Sequence, residues 1–273
     1  MRGIKIQSHN LLTAAVALGG LFLTSHFPVQ AWAQSDGTEI SFSAGVSYLT
    51  GDFGADQDTD IFFAPATIEF TGDRFRFVGT VPYIRIEGPG IVVGGPGGPI
   101  IIGSPGAGVT TESGIGDVVL SAYYLIDPGS EAMPYFEIGG TVKLPTANEN
   151  KGLGTGKTDF AAHLDIFKEL DGGTTPFATI GYRFRGDPQG LNLKNSVYAS
   201  AGASFPVSEA LKAGVSFEYE QKSIAGVDDL FEIVPFLSWQ ATDSLRFDFY
   251  ASVGLTDSAA DFSAGLSLRL SSF

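Results

Sequence analysis

Two stretches of this 273-residue chain carry residue types that could do chemistry. The first is Lys151-Gly152-Leu153-Gly154-Thr155-Gly156-Lys157-Thr158, which ends like a phosphate-binding loop. Such a loop needs a glycine five positions before Gly156 and a helix N-terminus after it, where backbone N–H groups and the helix dipole meet the phosphate. Position 151 is lysine, and a strand pattern begins at Asp159. Nucleotide binding is therefore set aside, and the stretch reads as a flexible, glycine-rich exterior loop. The second is His163, flanked by Asp159 and Asp165. A histidine between carboxylates can shuttle protons, but catalysis also needs a nucleophile within reach, and none is placed there by the spacing. His163 reads as a hydrogen-bonding residue inside the fold.

No other histidine competes for a metal or a triad, because His9 and His26 fall in a leader. Arg2 and Lys5 precede the apolar run Leu11 to Leu23, and Ala31-Trp32-Ala33 follows as an A-x-A cleavage site. This is the pattern of a secretory signal peptide, too short and wrongly flanked for a membrane helix. Residues 1–33 are assigned to it and 34–273 to one all-β domain. Removing Arg2 and Lys5 leaves 14 basic against 30 acidic residues, a formal charge of −16. That surface excludes nucleic acid as a partner. The absence of cysteine excludes disulfides and thiolate chemistry. No catalytic group, metal or cofactor is expected.

The elements that hold the polar residues are strands, since the hydrophobic period is two throughout. In Asp117 to Ile126, Val118, Leu120, Ala122, Tyr124 and Ile126 share one face. In Tyr135 to Leu144 the apolar face is Phe136, Ile138, Gly140, Val142 and Leu144, and in Asp159 to Phe167 it is Phe160, Ala162, Leu164 and Ile166. Nine further segments repeat the alternation, near 40–48, 62–70, 75–83, 178–184, 197–205, 211–219, 231–239, 245–255 and 262–270. The phase of the third is left undecided beyond Pro82. One parity of all twelve is free of charge except at end positions such as Lys168 and Arg85. The other collects acids and bases together.

Segments of about nine to eleven residues, joined alternately by tight turns and longer loops, fit a closed antiparallel transmembrane β-barrel of about 12 strands, apolar to lipid and polar to the lumen. Closure follows because backbone groups facing hydrocarbon must all be paired. Aromatic residues near strand ends, such as Phe70, Phe75 and Trp239, suit interfacial girdles, and the C-terminal Phe273 suits an assembly mark. The expected location is the outer membrane of a Gram-negative cell, with membrane lipid and a small solute as partners. The sequence sets no oligomeric state.

The lumen-lining candidates are Arg74, Arg76, Asp117, Tyr123, Glu137, Lys143, Asp159, His163, Asp165, Arg183, Tyr198, Glu218, Glu232, Arg246, Asp248, Tyr250 and Arg269. Opposite charges on neighbouring strands can pair across the interior and fix its shape, or they can line a polar path; structural pairing is favoured for most. Inward aromatic and apolar residues, Phe63 and Phe236 among them, form an apolar path or simply fill space. Residues 88–113, rich in glycine and proline with apolar islands at 91–93 and 100–102, show no regular period. They are expected to fold inward as a lid or plug, with a mobile surface loop as the alternative.

Gly114-Ile115-Gly116-Asp117, then Val142-Lys143-Leu144-Pro145-Thr146, then Gly152-Leu153-Gly154-Thr155-Gly156 with Asp159, resembles the outer-membrane family named for the meta pathway of phenol degradation, whose members are described as transporters. Ala147 stands where many relatives have glycine, and the insert before Gly114 is unusual for the family. The resemblance implies passive uptake of small hydrophobic or aromatic solutes. The alternatives kept are a non-conducting structural or adhesion barrel and, behind it, an outer-membrane hydrolase.

Overall fold

The computed structural model describes residues 14–17, 38–53, 57–95, 98–103, 108–126, 129–130, 132–188, 192–225 and 227–271. Twelve antiparallel strands form a closed meander. They are β1 (Glu39–Gly51), β2 (Thr59–Thr71), β3 (Phe75–Gly88), β4 (Thr110–Ile115 continued by Val118–Ile126), β5 (Tyr135–Leu144), β6 (Asp159–Phe167), β7 (Thr175–Phe184), β8 (Ser196–Pro206), β9 (Leu211–Glu220), β10 (Leu230–Thr242), β11 (Leu245–Gly254) and β12 (Phe262–Ser271). Each pairs with its sequence neighbours, and β12 closes on β1 with Phe262 opposite Thr50 and Ser271 opposite Ser41. Closure leaves no edge strand, which is the condition for exposing a sheet to hydrocarbon.

The two faces are sorted as the alternation predicts. Phe42, Val46, Ile68, Phe77, Ile138, Ile180, Phe217, Phe249 and Leu266 are exposed on the outside, while Ser41, Thr67, Arg76, Glu137, Lys143, Arg183, Ser216, Glu232 and Arg269 are buried within. A water-soluble sandwich sorts them the other way round. The tight turns, such as 72–74 and 243–244, lie at one end, and the longer loops 145–158, 185–195, 221–229 and 255–261 at the other.

Two features go beyond the sequence reading, in the 88–113 segment and in β3. Residues 88–113 are not without period. Gly90–Gly95 and Gly98–Gly103 pair as an antiparallel hairpin, and Thr110–Ile115 joins the barrel against β3. The side chains of 90–107, and with them the expected lid, lie outside the described residues. Ala14–Ala17, inside the expected leader, pairs with Gly98–Gly103 in a small sheet separate from the barrel. The rest of the leader and Phe273 lie outside the described residues.

The phase of β3 also continues beyond Pro82, so Ile84 and Ile86 point inward and Arg85 outward. Pro82 has no N–H to donate to the ladder. Opposite it β4 gains one residue: Ile115 faces Tyr83 and Val119 faces Thr80, a bulge at Gly116–Asp117 anchored by the Gly116 N–H on the Pro82 carbonyl at 2.8 Å.

Candidate functional site

Inside the barrel the polar side chains fall into separate clusters. In the half nearer the tight turns, the Arg76 guanidinium donates to Glu137 Oε1 at 2.6 Å and lies 3.6 Å from Glu69, which also accepts from Arg269 Nη1 at 3.0 Å. The Arg76 Cζ sits 3.8 Å from the centre of the Tyr123 ring. A second cluster gathers on Glu220, whose carboxylate accepts from Arg183 Nη1 at 2.6 and 2.7 Å, Arg185 Nη2 at 2.5 Å and Ser196 Oγ at 2.7 Å.

The Arg76–Glu137, Arg269–Glu69 and Arg183–Glu220 pairs each skip one strand. Next-but-one strands are about 10 Å apart, within reach of an arginine and a glutamate lying over the strand between. The intervening strand helps by carrying a small residue or a stackable ring. Ser41 and Ser43 lie between Glu69 and Arg269, and Tyr123 lies beside Arg76.

His163 Nε2 is 3.4 Å from Asp165 Oδ2 and its Nδ1 is 3.2 Å from the Tyr198 hydroxyl, while Thr179 Oγ1 donates to Asp165. The ring lies over Gly139, the residue directly opposite it on β5, and a methyl group at 139 would collide with it. The same arrangement recurs with Tyr198 over Gly181, Phe236 over Gly214 and Tyr250 over Gly265, each ring facing a glycine at the paired position of the adjacent strand. Glycine lets the ring lie along the wall instead of projecting across the lumen.

At the long-loop end the character changes. Leu49, Ile61 and Ile86 occupy one cross-strand row, and Phe63 and Ile84 the row below. Loop residues Phe53, Leu153 and Ala260 pack onto them, so that eight buried apolar side chains form one cluster with Ala147 against it. Phe53 adopts a φ of 50°, a region unfavourable for a bulky side chain, and is 1% exposed, so burial of its ring holds the strained backbone. The loops also carry charge. The Asp261 carboxyl is raised from its ordinary pKa by partial desolvation and by the neighbouring Asp52, Asp58 and Asp257.

Beside this apolar cluster lies a third ion cluster. Lys143 Nζ is 2.8 Å from Asp117, 3.1 Å from Asp159 and 2.7 Å from Thr155 Oγ1. Asp117 Oδ1 accepts the Ala147 N–H at 2.9 Å, and Asp159 Oδ1 accepts the Gly186 N–H at 2.8 Å. The 145–158 loop is therefore not a free exterior segment. Gly152, Leu153, Gly154 and Thr155 are buried, and Leu153 fills the space over Gly114.

Of the sequence candidates, Arg76, Asp117, Tyr123, Glu137, Lys143, Asp159, His163, Arg183, Glu232, Asp248 and Arg269 are buried in the interior. Asp165, Tyr198, Glu218, Arg246 and Tyr250 lie on the same parity and are partly covered. Arg74 does not line the lumen. It sits exposed in the turn before β3, because the chain has not yet entered the sheet there. The candidate set lacked Glu69, Arg185, Glu220 and Thr155, which complete the clusters. The parity of β2, β7 and β9 already pointed the first three inward.

Residues 42–271 match a family model described as "Putative MetA-pathway of phenol degradation". None of the curated proteins matches the chain in sequence. Among solved structures, an outer membrane channel from Pseudomonas putida F1 superposes with a TM-score of 0.66 at 12% identity, covering 90% of this chain and 99% of that one. The NanC porin superposes at 0.55 and 8% identity, covering 84% and 98%. At identities this low, the superpositions establish a shared closed β-barrel fold.

Proposed function

The chain belongs to the family of the MetA pathway of phenol degradation, and from that premise we propose that it is an outer-membrane channel for passive uptake of small apolar solutes, aromatic ones foremost. One observation carries the proposal: eight buried apolar side chains form one cluster at the long-loop end, whereas the other inward apolar groups, such as Val119, Leu125, Val234 and Phe236, are interspersed with buried charges, serines and threonines. Transfer of an apolar solute from water to such a surface gains about 25 cal/mol per Å² of area removed from water. The lumen below mixes single apolar and aromatic groups with serine, threonine and ion pairs, and among the described residues it holds no second apolar cluster. A solute would be gathered at the outer end and released toward the inner one. The description of the Pseudomonas structure as an outer membrane channel supports the channel reading, and the family's link to phenol degradation supports aromatic solutes.

Proteoliposome swelling tests it. Phenol-sized neutral solutes should enter faster than sugars of similar mass, and Phe53→Ser should reduce that preference. Equal rates for both solute classes would refute the apolar selectivity. The tight packing of Phe53, Ile61, Leu153 and Ala260, each at or below 1% exposure, favours a second reading, a sealed structural barrel. That reading predicts no swelling with any solute, even after the hairpin residues 90–103 are deleted and β4 is left whole.

A further inference from the structure

Three sequence stretches separated by up to 42 positions converge on Lys143: Gly116-Asp117 at the β4 bulge, Thr155 in the glycine-rich loop and Asp159 at the start of β6. Both strand-borne carboxylates use their second oxygen on loop backbone, Asp117 on Ala147 and Asp159 on Gly186. The ammonium thus sits at a node that fastens the 145–158 loop and the start of the 185–195 loop to the wall. Gly154 packs against Asp117 so closely that a side chain there would meet the carboxylate at 2.7 Å. Leu153, one residue before it, is the loop's contribution to the apolar cluster.

Resting on the channel reading above, we propose that the Lys143–Asp117–Asp159–Thr155 node is a latch that holds Leu153 in the apolar entrance, and that release of the 145–158 loop opens the channel. The latch suits that task because it is dry and fully paired. A buried lysine between two carboxylates holds firmly while all partners are present, and loses its hold sharply when one is removed. The loop itself carries little apolar area besides Leu153. Its other described residues are polar, glycine or exposed, apart from the half-buried methyl of Ala147 packed against the cluster. The ion node, more than hydrophobic burial, decides whether it stays down.

The test uses the full barrel refolded into liposomes, with Lys143→Met, which keeps the side-chain length and removes the charge. Folding is checked by heat-modifiable gel mobility. Two readouts are taken. Tryptic cleavage at Lys151 or Lys157, located by fragment mass, reports loop release and should accelerate by on the order of a hundredfold. Uptake of a phenol-sized neutral solute reports opening and should rise severalfold. If Lys143→Met does not fold, Thr155→Val removes the hydroxyl that accepts from Lys143 Nζ and bonds the Lys157 backbone; it leaves the two Lys143 ion pairs in place and should shift uptake and cleavage at Lys151 in the same direction by less. Cleavage no faster than in the wild type overturns the latch. A released loop with unchanged uptake overturns the gate, leaving the channel reading intact if the wild type takes up apolar solute. Should neither protein take up any solute, the channel reading falls and the gate with it.

Discussion

The Glu220 cluster yields a prediction whose sign depends on how the charges are arranged. Glu220 is the common acceptor of Arg183, Arg185 and Ser196, and all four side chains are buried. Replacing it by leucine strands two guanidinium groups in the dry interior. Breaking a buried ion pair from one side costs about 3–5 kcal/mol. With a urea slope of roughly 2–3 kcal/mol per M, the unfolding midpoint of Glu220→Leu should fall by about 1–2 M. The triple replacement Arg183→Met, Arg185→Met, Glu220→Leu removes the whole cluster, and burial of apolar groups then offsets the lost attraction. Its midpoint should return to within about 0.5 M of wild type. The assay is urea unfolding in detergent micelles, followed by tryptophan fluorescence and gel mobility. A triple variant no more stable than Glu220→Leu would show that the loss came from packing or strand pairing, and would refute the electrostatic account.

Other expectations follow from particular contacts. Gly139→Ala should destabilise by about 1–3 kcal/mol because its methyl group meets the His163 ring, whereas Gly140→Ala, with no atom nearer than 3.9 Å, should be near neutral; thermal unfolding of the pair compares them. Phe217→Arg, on the outer face, should cost about 2–4 kcal/mol in a bilayer and much less in a detergent micelle, measured by folding titrations in each. Asp261 has a pKa raised in the folded state, so its contribution favours the folded loops at low pH and is lost as pH rises through that value. Tryptic cutting of the exterior loops should therefore slow as pH falls into the carboxylate range, and Asp261→Asn should flatten this dependence. An unchanged pH profile in Asp261→Asn would remove Asp261 from the account.

Much of the barrel was legible along the chain because it is written locally. Side chains alternate with a fixed period of two, so a residue's face follows from its neighbours without knowing which strand lies beside it. Phe247 and Asp248 fall on opposite faces from adjacent positions alone, and Ile84 and Ile86 follow the same rule once the alternation is carried through Pro82. The charged parity and the tight turns likewise fixed meander order and strand number. The motifs that carried the family resemblance contain Asp117, Lys143 and Asp159, three members of the latch.

Only the tertiary structure decided which of these inward groups meet. Glu69 and Arg269 stand 200 positions apart and become partners because β12 closes on β1, a long-range event that no local period encodes. Arg183 and Glu220 meet by reaching over β8, so their pairing depends on register and on the serine between them. The glycine-rich stretch 152–156 reads as mobile because glycine and threonine carry no burial signal. Its residues 152–155 are buried because Lys143 and Asp117, contributed by other parts of the wall, satisfy or pack against them. Alternation determines a face from a single strand, whereas a buried charge is placed only by the partner that the closed ring brings opposite it.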